Sequence, residues 1–310
     1  MKLLKRILWR LLASVGVLWG AATLTFVTIN ITGGDTALAI LGGPDALPTA
    51  AALARVRAEY GLDQPLIVQY GHYIGRLAHG DLGESYRLRI PVTQAISQQI
   101  GATIELALCA GVIGIALSVL LAILTAGRTR WMQSLSSGTE LVLSSMPSFV
   151  LGILLLLAFS FHWHWFPVFD ATGWRGMALP ALTLALPIVA VLTQVLRQEL
   201  EDILEQPFIV TARARGMSDM AVRLRHALRH AMIPIVTLSG FIFASLLGGA
   251  VVVETLFVRQ GIGSLMVDAA TNKDVPVVLG ITLLAALIYT AVNIAVDILY
   301  GLIDPRMRVA

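Results

Sequence analysis

At six places the chain is mainly apolar for about 20 residues, the length an α-helix needs to cross a bilayer. These stretches run from Leu11 to Ile29, Thr103 to Thr125, Leu141 to Phe161, Ala178 to Leu196, Ile235 to Leu256 and Val277 to Leu302. The pattern predicts an all-α protein with six membrane-crossing helices in one domain over residues 1–310. Two longer hydrophilic segments interrupt it, at 33–100 and 197–233. The first carries helix signals of its own. Thr49 suits an N-cap, and Gly61 lies just past the end of the helix it would start. Pro65 can open a second helix, in which Leu66, Tyr70, Tyr73 and Leu77 recur at helical spacing until Gly80. Two short helices cannot bury a core of their own, so a small helical cap packed on the mouth of the spans is expected.

The second segment contains "TARARGMSDMAVRLRHALRHAMIP", Thr211 to Pro234. Ser218 is a good N-cap and Asp219 favours the positive end of the helix that follows. Met220, Leu224, Ala227, Leu228 and Ala231 then form an apolar stripe at helical spacing. Arg223, Arg225, His226, Arg229 and His230 take the remaining faces. Gly216 can supply the left-handed turn that separates this helix from the preceding arm.

Composition agrees with a bilayer. The 310 residues are 57% hydrophobic and only 13% charged, where soluble domains carry about 25% charged residues. Lys2, Lys5, Arg6 and Arg10 precede the first span, which is longer than a signal-peptide core and is followed by five others, so an uncleaved anchor fits better than a leader. With the N-terminus in the cytoplasm, 14 of the 22 lysines and arginines fall on inside segments, and the positive-inside rule then puts both termini in the cytoplasm. Segment 33–100 is thereby outside and segment 197–233 inside. The single cysteine, Cys109, lies within a span and reads as packing.

Catalytic chemistry is not evident. No glycine-rich loop precedes any of the lysines, Lys2, Lys5 and Lys273, so no phosphate-binding loop of the GxxxxGK[ST] kind is present. His226 and His230 have the spacing of a zinc-protease helix, but Ala227 stands where the general-base glutamate belongs. His162 and His164, set among Trp163, Trp165 and Phe166, read as part of an interfacial aromatic belt rather than a metal site. No metal ligands are therefore assigned. Glu105, Glu140, Glu254 and Asp297 lie in or beside spans, where an ionised group usually faces a cavity or a partner unless it sits at the membrane surface. None has a basic residue within one helical turn in sequence. Pro147, Pro180 and Pro187 fall within spans, where each removes a hydrogen bond and permits a kink.

A basic amphipathic helix beside a membrane has three readings: it rests on anionic lipid, it is a plain positive-inside loop, or it inserts into a cytoplasmic partner. Here "TARARG", the helix after it and "AMIP" resemble the cytoplasmic EAA loop of ATP-binding-cassette importer permeases, in the form used by the dipeptide, oligopeptide and nickel branch. "GLDQPLIVQY", "HGDLGESYRLRIPV", "GATIELAL", "SSMPSFVLGILL", "VVVETLFVRQGIGSLMVDAATNKDVPVV" and "VDILYGLIDPRMR" look like that branch's first permease subunit, in order and spacing.

The resemblance implies a type I importer transmembrane fold in the bacterial inner membrane, working with a second, homologous permease, two ATPase subunits that bind the ATP and magnesium, and an extracytoplasmic solute-binding protein. This chain would hold no cofactor and no catalytic residue. Its coupling residues would be Ala212, Gly216, Met217, Ser218, Asp219, Arg223, Arg225, His226 and Arg229, with Pro147, Ser148 and Glu254 toward the translocation path. The cargo implied is a peptide, with nickel or a metal chelate as the alternative; a proton-coupled secondary transporter is the alternative of another class. Two departures stand out. Arg259 and Gln260 occupy the places where the family commonly has Trp-Pro before Gly261, and Glu199, Glu201, Asp202 and Glu205 make the arm before the loop unusually acidic.

Overall fold

The computed structural model describes residues 2–32, 35–42, 47–168 and 173–303, with side chains except at 2–11, 29, 32, 39, 233, 236, 237, 239, 241, 244, 247 and 296–303. The expectations for Lys2, Lys5, Arg6, Arg10 and Asp297 rest on side chains outside this set. Among the described residues the chain is helical, with one isolated bridge between Glu84 and Pro91 and no strand. It divides into two units, Met1–Ala102 with Gln260–Ala291, and Thr103–Arg259 with Val292–Ala310.

The first unit holds α1 (Lys2–Thr32), α2 (Thr36–Ile40), α3 (Ala50–Glu59) and α4 (Leu66–Ala78), together with the opening turns of α5 (Val92–Thr125). The Thr49 hydroxyl accepts from Ala52 N at 3.3 Å, which caps α3 as its sequence predicts. Gly61 and Gly80, at φ +64° and +76°, turn the chain after α3 and α4 in a conformation that other residues adopt only at a cost. Of the α4 stripe, Tyr73 is buried and Tyr70 and Leu77 are half-buried, while Leu66 is exposed. Tyr73 stacks on Phe26 of α1, and Tyr70 shares a 2.7 Å hydrogen bond with Thr23. α4 is thus fastened to α1 by rings and a hydroxyl pair.

The second unit contains the rest of α5, α6 (Arg130–Ser145), α7 (Ser148–Leu155) with a π-helical extension over Leu156–His162, α8 (Trp174–Leu204), α9 (Pro207–Ala214), α10 (Asp219–Val222) and α11 (Leu228–Leu256). Leu106, Leu192, Leu196, Leu200 and Ile209 are fully buried at its centre. Helices in lipid gain little from hiding apolar surface and depend on close packing instead. Gly114 illustrates this: a Cβ there would lie 2.8 Å from Ile188 Cγ2, so α5 and α8 approach as closely as they do because the side chain is absent. α12 (Ile262–Thr271) and α13 (Val275–Ile303) as far as Ala291 belong to the first unit, where Val277 and Ile281 pack on Val92 and Ile96 of α5.

By length and composition α5, α8 and residues Val275–Ala295 of α13 can cross a membrane, and α6 with α7 adds a fourth span if the pair counts as one. The stretch Leu141–Phe161 differs from the single span its apolar run suggests: α6 and the helix over Ser148–His162 meet at 108°. Pro147 explains the break. Its ring disfavours helical geometry at the residue before it, and Met146 is extended at φ −81°, ψ 131°. Pro180 and Pro187 instead stay inside the one helix α8.

Candidate functional site

Gly216 takes φ +82°, the left-handed turn its position predicts, and Ser218 caps α10 by accepting from Ala221 N at 3.3 Å. The helix begun there passes through a π-helical turn at Arg223–Ala227 and continues into α11 without interruption. A π turn adds a residue to the helical repeat, and the buried face differs from the expected stripe. Val222, Arg223, Ala227 and Ala231 are buried, whereas Met220 and Leu224 are exposed with Arg225 and Arg229. Ala212 is buried, Met217 and His226 are half-buried, and His230 lies against Phe208 with ring centroids 5.6 Å apart.

Arg223 is the main departure from the sequence expectation, since it turns inward with only 3% of its side chain exposed. Its Nη1 donates to Ile123 O at 3.0 Å and to Ala126 O at 2.6 Å, at the end of α5. The final carbonyls of a helix have no partner within it and favour a cation, so this guanidinium satisfies them. Its Nε donates to Asp219 Oδ2 at 2.7 Å, and Asp219 Oδ1 accepts from Arg213 at 3.2 Å. The Arg223 hydrogen bond above all, with Arg213 adding to it, holds the Asp219 carboxyl below its usual range. Glu201 of α8 supports the same corner, accepting from Gly127 N at 3.0 Å and from Gln133 Nε2 at 2.7 Å with a single oxygen. A cleft of about 430 Å³ opens beside these groups, lined among others by Arg128, Glu201, Glu205 and Arg213.

A second polar cluster lies where α6 and α8 cross. Arg197 donates to both oxygens of Glu140 at 2.7 Å, and to Ser136 and Ser137 at 3.0 Å each, with both charged side chains buried. A buried ion pair offsets its desolvation only when the remaining donors and acceptors are also met, and the two serines do that here. Sequence reasoning missed the pair, although a signal existed. Glu140 immediately precedes one apolar stretch and Arg197 immediately follows the next, and antiparallel neighbours bring those two ends to the same side.

At the other end of α11, Glu254 is fully buried and accepts from Thr103 Oγ1 at 2.6 Å. Arg259 reaches Glu105 of α5 at 3.0 Å, which gives the arginine in the usual tryptophan place a local role. Pro147 is exposed and Ser148 half-buried at the bend. In the first unit the buried Asp274 carboxylate accepts from the Ser85 hydroxyl, from Tyr86 N at 3.1 Å and from Arg87 N at 3.3 Å, pinning the loop before α5. Burial there pushes the Tyr86 phenol up to about 12, so it stays neutral at physiological pH. Among the described residues no three of His, Cys, Asp and Glu converge as metal ligands would.

Residues 90–309 match the family described as the binding-protein-dependent transport system inner membrane component. A protein of Brucella abortus (strain 2308), described provisionally as a peptide transport system permease protein, is 38% identical over 311 residues, covering 97% of this chain and 98% of that protein. The glutathione transport system permease protein GsiC of Salmonella typhimurium is 37% identical over 307 residues, covering 99% of both chains. The GsiC protein of Escherichia coli O6:H1 is 37% identical over 310 residues, again covering 99% of both. An apolar helical chain matched along its whole length by permeases is a multi-pass component of the inner membrane. It belongs to the binding-protein-dependent inner membrane component family and is a permease subunit of an ATP-binding-cassette importer.

Proposed function

We propose that the chain forms half of the path by which an ATP-driven importer takes up a peptide-type solute. The names of its full-length relatives, peptide and glutathione permeases, support that cargo. In this reading six helices cross the membrane in a type I importer arrangement, with both termini in the cytoplasm. Residues 33–100 form a cap on the outer side, near which a solute-binding protein delivers its load. A homologous second permease completes the path, and the bend at Pro147 and Ser148 belongs, with the buried Glu254, to the wall that rearranges.

Segment 197–233 is the place where one of the two ATPase subunits, which carry the ATP and magnesium, acts on the spans. One observation carries this assignment: after the Gly216 turn a capped helix exposes Met220, Leu224, Arg225 and Arg229 on one side while its other side is anchored by Arg223. A loop that served only to orient the chain needs neither the cap nor the anchor. The test is to purify the assembled importer with Arg225→Glu and Arg229→Glu together. The expected result is a permease that still inserts in the membrane but no longer retains the ATPase. Retention of the ATPase by this variant, or solute uptake driven by a proton gradient with the permease alone, would overturn the assignment.

A further inference from the structure

We propose that Arg223 is the positioning residue through which the docking segment moves α5. The inference rests on the reading that segment 197–233 receives the ATPase, but assigns Arg223 a different task from its exposed neighbours. A side chain with 3% exposure offers nothing to a protein docked on the surface. What it touches is internal: two carbonyls, Ile123 O and Ala126 O, that lie about 100 residues earlier in the chain at the end of α5. One guanidinium therefore joins the start of the docking helix to the end of another helix.

The other groups at this corner fit a joint rather than a plug of packing. Asp219 holds Arg223 on one side and Arg213 on the other, so the arms before and after the Gly216 turn are tied to one carboxylate. Displacing the helix carries Asp219 and Arg223 along together. Glu201, near the C-terminal end of α8, holds Gly127 just past the end of α5, so the end of α5 can swing only about this tie. The adjoining cleft of about 430 Å³ leaves room for that swing, where a close-packed interior would resist it. Arginine suits the task because its planar fork reaches several acceptors in fixed directions, while a lysine ammonium is a single mobile point.

The experiment uses the whole importer, permeases, ATPase subunits and binding protein, reconstituted in liposomes. The readout is the ratio of ATP hydrolysis with the loaded binding protein to hydrolysis without it. Arg223→Gln is expected to keep the ATPase bound through purification yet lower that ratio by roughly tenfold, within the range of coupling between distant sites. Arg223→Lys is expected to stay low, because charge alone does not restore the bonds to both carbonyls. Asp219→Asn leaves those carbonyl bonds in place and loosens the other end of the joint, so it too is expected to lower the ratio. It decides the matter if Arg223→Gln fails to fold. An unchanged ratio in the folded variants, full recovery with lysine, or loss of the ATPase from a well-folded Arg223→Gln importer would each overturn the proposal. Failure of the docking assignment is seen separately, as an ATPase that stays bound to the Arg225→Glu and Arg229→Glu variant.

Discussion

Glu140 and Arg197 hold each other by two parallel hydrogen bonds of 2.7 Å between α6 and α8, with both side chains buried. Removing one member of such a pair leaves a buried charge without its counter-ion, a loss of about 3–5 kcal/mol. Replacing both with apolar residues of similar size removes the desolvation cost along with the attraction. Glu140→Leu or Arg197→Met alone is therefore expected to lower the thermal unfolding midpoint of the detergent-purified subunit sharply. The double variant should recover most of the loss. Single variants as stable as the parent would show that the pair carries no structural weight.

Asp274 anchors the loop before α5 by accepting from Ser85, Tyr86 N and Arg87 N. Hydrogen bonds to a charged group contribute about 1.5–3 kcal/mol each, and an asparagine would turn a donor toward donors. For Asp274→Asn we expect destabilisation of about 2 kcal/mol or more, concentrated in residues 84–91. Limited trypsin digestion can check this, since cleavage after Arg87 and Arg89 should rise well before cleavage elsewhere.

Asp219 sets a pH limit on the structure around the Gly216 turn. Its carboxyl is held below the usual range by Arg223 and Arg213, so its contribution to stability is complete above the ordinary carboxylate value of about 3.9. It is lost only as pH falls through the lower folded value. A nitroxide attached at Val210→Cys, with Cys109→Ser to remove the only native thiol, should report the same mobility from neutral pH down to about 4 and loosen only below it. In Asp219→Asn the loosening should be present already at neutral pH. Loosening of the parent near pH 6 would contradict the assignment.

Much of the local structure was legible because it depends on neighbours in sequence. Thr49, Ser218, Gly61, Gly80 and Gly216 act within a turn or two of themselves, and each stands where its chemistry placed it. What could not be read is set by partners far along the chain. Nothing in "MAVRLRHAL" tells which arginine finds Ala126 O and which remains in water, and the π-helical turn shifts the face that periodicity would have named. Prolines show the same limit. Pro147 breaks its span through 108°, while Pro180 and Pro187 sit inside one continuous helix, although all three lie in apolar runs of similar character. The exposed Pro147, Met220 and Leu224 also belong to surfaces for which a single chain supplies no neighbour, and their sequence pattern alone does not distinguish such surfaces from core.

From Asp219 to Leu256 the backbone is helical without interruption, through the π turn and past Pro234. At 1.5 Å per residue that is a rod on the order of 55 Å long, enough to reach from one side of a bilayer to the other. If segment 197–233 receives the ATPase as proposed, such a rod would act as a lever that carries a push at one end along to the other. Pro234, which lacks the amide to close its own turn, is then the point where the lever bends first if its far end is held still.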